Sequence, residues 1–327
     1  MPSGSTRKSE SPSGDPNRAV SQKAALSEIT RTRERSLRAR SRKVGKHVGR
    51  AGAENFNRSF TALGSLAYSG AQVSANVVDL ASGRVLVSID DRIVLPTASL
   101  GKVLLLIEVS ARLTSRDFSG YGILDKTPRD LVGESGIWQH LQAPALPVGD
   151  LATLVGATSD NLATNLLLRQ VGLDAVRRRT ESLGMTRTAL LDVARNSRGP
   201  DDAPQLSVGS TSEFSWLLGA LARGEVVDPM TSQRVMGWLS LNTDLSMVAS
   251  AFGLDPLAHR RADHDVLLIN KTGSDPGVRA EAGALRGART AVSYAVTIQF
   301  DDDSLEARLR VLDAMRTVGN DLLEFVH

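Results

Sequence analysis

Apolar residues recur at helical spacing through Phe56, Phe60, Leu63 and Ala67, which predicts an amphipathic helix over about 51–68. The pattern then switches to alternation. Val73, Ala75 and Val77 share one face and Ser74 and Asn76 the other; Ser82-Gly83 supplies a turn and Val85-Leu86-Val87-Ser88-Ile89 returns, which predicts a β-hairpin. From Pro96 to about Leu241 the spacing is helical, with helices expected at 98–113, around 149–157, and at 161–171, 173–183 and 211–223. Gly172 and Gly184 stand where C-terminal caps belong. Strand character resumes at Val266-Leu267-Leu268-Ile269-Asn270-Lys271 and continues through 278–286 and 291–298. A closing helix follows, with Asp303 as its expected N-cap, Glu306 three residues on, and Leu305, Leu309, Leu312, Met315, Val318 and Leu322 as its inner stripe.

No internal repeat interrupts this order. Two sheet segments far apart in sequence predict one sheet closed around an inserted helical domain, a mixed α/β (α+β) class. The expected organisation is an extension over 1–48, a sheet domain over 49–95 plus 250–327, and a helical domain over 96–249 with the site at their interface.

Composition narrows the function classes. The 327 residues hold no cysteine, which removes disulfides, thiol nucleophiles and thiolate metal sites. Residues 1–50 carry 13 Lys or Arg against 4 Asp or Glu, a net of +9, so the remainder of this +3 chain carries −6. The basic run Arg31-Thr32-Arg33-Glu34-Arg35 through Lys43 has no aromatic residue among its arginines. It reads as a solvated extension rather than an arm for nucleic acid or anionic lipid. Met1 to Val20 contains no apolar core of a secretory signal, so a cytoplasmic location is the expectation, with export by another signal left open.

Ser99 and Lys102 lie three residues apart ahead of Val103-Leu104-Leu105-Leu106-Ile107. On a buried helix starting near Ala98 they would place a hydroxyl nucleophile beside an amine base. The spacing alone is weak, since Ser5 and Lys8 repeat it in the tail. Ser159-Asp160-Asn161 precedes a helical run and reads by itself as an N-cap cluster. Lys271-Thr272-Gly273 ends a strand and reads by itself as a charged strand end with a glycine turn.

Together, the Ser-x-x-Lys, Ser-Asp-Asn and Lys-Thr-Gly patches resemble those of penicillin-recognising serine enzymes, specifically class A β-lactamases. Val77-Val78-Asp79-Leu80-Ala81-Ser82-Gly83 is similar to that family's first hairpin, and Gly136-Ile137-Trp138-Gln139-His140-Leu141 to the segment before its Ser-Asp-Asn loop. The resemblance spans about 52–325. It implies an antiparallel sheet flanked by N- and C-terminal helices, with a helical domain inserted. By this resemblance Ser99 would be acylated, Lys102 would take its proton and Ser159 would relay a proton to the leaving nitrogen. Asn161 would hold the substrate's amide side chain, and Lys271 and Thr272 would grip its carboxylate. Backbone N–H groups of Ser99 and of Ser274, just after Gly273, would form the oxyanion hole. Arg279 would be a second carboxylate anchor or a strand-surface arginine paired with Glu281 or nearby acids. The implied partner is a small β-lactam or peptide-like molecule, handled by a monomer without metal or cofactor.

One part of the family pattern is missing. Class A enzymes place a water-orienting glutamate some 36 residues after the serine of Ser-Asp-Asn, and that position here is Arg195. No Glu occurs between Glu181 and Glu213, and Glu213 reads as half of a capping box with Ser210. Asp192, Asp201 and Asp202 remain as substitutes. Acylation with slow deacylation is therefore the expectation, against two alternatives: a D-Ala-D-Ala peptidase and a non-catalytic ligand-binding relative. A triad esterase lacks its Gly-x-Ser-x-Gly, and His47, His140, His259, His264 and His327 show neither a triad order nor metal-ligand spacing.

Overall fold

In the computed structural model, residues 56–302 and 304–327 are described. The basic extension, the first residues of the expected 51–68 helix and Asp303 lie outside them. The alternating segment forms β1 (Gln72–Asp79), paired antiparallel with β2 (Val85–Ile89). Its other neighbour comes from the far end of the chain. β10 (Ala291–Gln299) runs antiparallel beside β1, with Ala75 opposite Val296. β8 (Leu267–Asp275) and β9 (Val278–Arg286) complete a five-stranded antiparallel sheet in the order β2-β1-β10-β9-β8. β8 is thus an edge strand.

Both faces of this sheet are covered. On one lie α1 (Asn57–Tyr68) and α8 (Leu305–Val326), whose Leu63, Val311, Met315, Val318 and Leu322 pack with Val73, Ala75, Val77 and Val296. On the other, α6 (Thr211–Arg223) meets the polar side of β1: Ser74 bonds Thr211 at 2.7 Å and the Ser215 hydroxyl donates to the Asn76 amide oxygen. Ser74 and Asn76, on the face opposite Val73, Ala75 and Val77, are buried because this helix brings their hydrogen-bond partners.

α2 (Lys102–Ser115) is the centre of the helical half; every residue from Lys102 to Ala111 is buried. Each large aliphatic side chain so enclosed contributes about 1.5–3 kcal/mol. Around it stand α3 (Val148–Thr158), α4 (Asn161–Val171), α5 (Leu173–Ser182) and α7 (Pro229–Leu239). Short strands β3 (Leu95–Pro96), β6 (Ala189–Leu190) and β7 (Ser207–Gly209) form a small second sheet, and β4 (Ile123–Asp125) pairs with β5 (Ala145–Pro147). α7 follows the rules of its own ends, with Asp228 accepting from the Thr231 amide at 2.7 Å and Pro229 in the first turn.

Several local expectations shift. The helix expected from Ala98 begins as a 3-10 turn, Ala98–Gly101, because Ala98 sits at φ 48° and cannot start an α-helix. Phe60 is 41% exposed; Phe56, Leu63 and Leu66 make the buried stripe of α1 instead. Leu305 and Leu309 are likewise exposed, since the apolar stripe of α8 starts at Ala307 and runs through Val311, Ala314 and Met315. Ser304 caps that helix, accepting from the Ala307 amide at 3.2 Å. Glu213 completes no capping box: Ser210 accepts its amide, while its carboxylate accepts from Thr186 and Arg187.

Candidate active site

A cleft of about 660 Å³ opens beside Ser99, Ser159, Asn161, Thr272 and Ser274. Ser99 rides on the 3-10 turn, whose geometry is fixed from below. The Ser207 hydroxyl donates to the Ala98 carbonyl at 2.6 Å and bonds Thr97 Oγ1 at 2.7 Å. Strand β8 presses on the same turn. A Cβ on Gly273 would stand 2.2 Å from the Thr97 carbonyl oxygen and 3.1 Å from the Ser99 nitrogen, so only glycine lets the strand come this close.

Ser159 ends α3 in the left-handed region, at φ 56°. Asp160 then caps α4, accepting from the Ala163 amide at 2.9 Å. Its second oxygen accepts the Ile137 and Trp138 amides, each at 2.9 Å, which binds the 136–138 segment to the cap. Gly136 makes that contact feasible: a Cβ there would lie 2.4 Å from the Asp160 carboxylate.

The two lysines meet at one hydroxyl. Lys102 Nζ lies 3.3 Å from Ser159 Oγ and donates to the Ser159 carbonyl and to Asn161 Oδ1, both at 2.6 Å. Lys271 Nζ donates to Ser159 Oγ at 3.1 Å and to the Thr272 carbonyl at 2.7 Å. Both lysines are fully buried. Desolvation, then the neighbouring Lys271 charge, pushes the Lys102 amine well below the ordinary lysine range, although Asp160 and Glu134 oppose this. Burial lowers Lys271 to about 8, with Asp244 and Glu281 favouring its charged form. The arrangement therefore offers one amine that gives up its proton readily and another that keeps its charge more easily.

The Asn161 amide is mostly committed within the protein. Its oxygen accepts a hydrogen bond from Lys102 and its nitrogen donates to the Gly133 carbonyl at 3.2 Å, leaving one N–H. Arg279 does not line the cleft; its guanidinium donates to the carbonyls of Asp275 and Val278 at 2.9 and 2.7 Å. It is not paired with Glu281, which accepts from other groups inside the sheet.

The loop that lacks the glutamate is held by its own charges. Arg195 and Arg198 line the cleft, and each reaches Asp192 at 2.7 Å; Arg195 also reaches Asp202 at 3.0 Å. Burial works against the Asp192 carboxylate, yet bonds from Arg195, the Val193 amide and Arg198 hold it below the usual range. None of Asp192, Asp201 and Asp202 lines the cleft; Glu134, Asp244 and Asp275 do. These three acids lie in no motif, and their placement depends on distant chain segments meeting. The left-handed backbone of Glu134 (φ 65°) is a conformational mark that its residue type does not announce. Among the described residues no cluster of three His, Asp or Glu side chains could hold a metal ion, and no helix is long and apolar enough to cross a membrane.

Comparison with known proteins agrees with this architecture. The β-lactamase from Sphaerobacter thermophilus superposes with a TM-score of 0.71 at 22% identity, covering 82% of this chain and 96% of that one. An ancestral class A β-lactamase, GNCA, gives 0.68 at 23% identity over 82% and 99%. PBP-A gives 0.66 at 17% identity over 81% and 94%. At these identities the likeness is one of fold. A curated β-lactamase of Streptomyces lavendulae is 31% identical over 132 residues, a stretch covering 38% of this chain and 38% of that protein. Residues 55–326 match the description of the β-lactamase enzyme family. With most of its length matched in this way, the chain belongs to the β-lactamase enzyme family.

Proposed function

We propose that this protein is a serine hydrolase that forms an acyl-enzyme on Ser99 with β-lactams or related amides and esters, and releases the acyl group slowly. One observation carries the reading: the Ser159 hydroxyl stands between two buried amines, 3.3 Å from Lys102 and 3.1 Å from Lys271. In the proposed reaction neutral Lys102 takes the Ser99 hydroxyl proton, and Oγ attacks the substrate carbonyl carbon. Backbone N–H groups of Ser99 and Ser274 receive the oxyanion, a contribution of about 3 kcal/mol for each such donor. Ser159 then protonates the leaving nitrogen as the C–N bond breaks, and is reprotonated by Lys102, which carries the proton taken from Ser99. Lys271 and Thr272 hold the substrate carboxylate, and the remaining N–H of Asn161 faces its amide side chain. Arg279 assists only by turning away from its present carbonyl partners.

Slow release follows from the loop. The position that orients water in class A enzymes is occupied by Arg195, and Asp192 is spent on two arginines. The helical part over 96–249 and the sheet part over 49–95 plus 250–327 serve as the two walls of the cleft, acting on a small molecule within one chain.

Incubation with benzylpenicillin followed by intact-mass measurement tests this directly. A persistent adduct equal to the mass of the penicillin, absent in Ser99→Ala, is the expected result. Rapid, complete nitrocefin hydrolysis with no trapped adduct would sink the slow-release reading. A D-Ala-D-Ala peptidase or penicillin-binding-type enzyme is the second reading, and the missing carboxylate favours its transfer form: an acyl group that water removes slowly is free for an amine acceptor. Release of D-alanine from a D-Ala-D-Ala peptide would select it. Ligand binding retained by the wild type without any adduct would select a non-catalytic binder.

A further inference from the structure

The sheet hides an acid that the reaction above does not use. Glu281 on β9 stands opposite Thr272 on β8 and is fully buried. Its Oε1 accepts from the Tyr294 hydroxyl at 2.7 Å and from Asn270 Nδ2 at 2.8 Å, and its Oε2 from the Ala249 amide at 3.3 Å. Asn270 Nδ2 and the Ala249 amide can only donate, and the Tyr294 hydroxyl donates to the ionised group, so the carboxylate can use all three bonds at once. The pattern continues outward. Asn242 Nδ2 donates to Asn270 Oδ1 at 3.0 Å, and Asn242 lines the cleft beside Thr243 and Asp244. One buried chain of bonds thus runs from Tyr294 through Glu281 and Asn270 to the cleft wall.

Among the described residues, Lys271, one residue after Asn270, has no carboxylate within hydrogen-bonding distance; its ammonium meets Ser159 Oγ and the Thr272 carbonyl. A buried ammonium without a contacting anion depends on acids a little farther away. Asp244 and Glu281 are those acids, and the Lys271 charge they favour in turn lowers the proton affinity of Lys102 across Ser159. The groups facing Glu281 are Tyr294 from β10, Asn270 and Lys271 from β8, Asp244 from the cleft wall and the Ala249 amide.

We infer that Glu281 is a positioning residue for the anion site: its buried carboxylate keeps Lys271 charged and ties the 242–244 wall to β8. This rests on the reading that Lys271 receives a substrate anion. Burial pushes Glu281 up to about 7, against the bonds from Tyr294 and Asn270, so its support for Lys271 switches on across neutral pH.

The test is Glu281→Gln, which keeps size and one acceptor oxygen. The chain has only seven lysines, so the Lys271 side-chain signal can be followed by NMR with labelled lysine and assigned by its loss in Lys271→Arg. The proton affinity of Lys271 is expected to fall by about tenfold in Glu281→Gln. Acylation by benzylpenicillin, read by intact mass, should then be unchanged at pH 6, about fivefold slower at pH 8 and close to tenfold slower at pH 9. A merely structural role predicts one uniform loss at every pH and an unmoved Lys271 signal, and either result overturns the inference. Absence of any adduct in the wild type would reject the proposed function alone, because the lysine titration is read without substrate. Should Glu281→Gln fail to fold, Tyr294→Phe removes one donor and should move the switch to higher pH; an unmoved profile there also overturns the inference.

Discussion

Ser159 and Ala98 hold left-handed backbone at φ 56° and 48°, a conformation that costs a non-glycine residue on the order of 1–3 kcal/mol. Ala98 precedes Ser99, and Ser159 itself bears the hydroxyl that meets both lysines. The surroundings over-determine them: Ser207 grips the Ala98 carbonyl, and Lys102 grips the Ser159 carbonyl. The same crowding makes Gly273 intolerant. Gly273→Ala would drive the Thr97–Ser99 turn away from β8, and the acylation rate should drop by about a hundredfold with a stability loss of about 1–3 kcal/mol. Acylation kinetics by mass, alongside a denaturant melt, would check both. In the proposed reaction Lys102 acts without its proton and Lys271 with one, so the acylation rate should rise with pH to a maximum and then fall as Lys271 titrates near 8. A rate still climbing at pH 9.5 would contradict these roles.

At the scale of elements, Asp160 links two of them. It caps α4 and accepts two amides from the segment at 136–138, so a single carboxylate sets where Ser159 and Asn161 stand relative to the cleft rim. Asp160→Ala strands three amide donors, and a stability loss of about 2–4 kcal/mol is expected from the lost cap and the unpaired groups. Urea denaturation measures it, and the acylation rate should fall in the same variant because the 133–138 segment loosens. A loss below about 0.5 kcal/mol would mean that the segment is held by other contacts.

For the molecule as a whole, the sheet carries a charge cost near neutral pH. Glu281 has a raised pKa in the folded chain, about 7 against 4.5, so the folded state keeps a proton that the unfolded state has lost. Stability from this group is therefore present at low pH and lost as pH rises from 4.5 to 7, by about 3 kcal/mol in total. Glu281→Gln should abolish that loss. Comparing the two chains in urea at pH 5 and pH 8 would show the variant gaining on the wild type as pH rises, and a constant difference would refute the linkage.

Much of this was written in local patterns. The hairpin, α4 with its Gly172 cap and the three late strands follow from spacing and end chemistry, which act over a few residues. The chemistry-bearing patches at 99–102, 159–161 and 271–273 were likewise legible as residue types. The exposed Phe60, Leu305 and Leu309 were not, because an amphipathic stripe shows its width in sequence and its orientation only against a partner. What residue order determined by itself is therefore the set of elements and the reactive side chains each one bears. Tertiary structure alone decided that two lysines would converge on Ser159, that Arg195 would be neutralised by Asp192 and Asp202, and that Glu281 would be sealed behind β8. The lysine contacts join residues 57 and 112 positions apart, the Arg195 pairs lie three and seven residues apart but form only as the loop folds, and the burial of Glu281 exists only once the chain has closed around it.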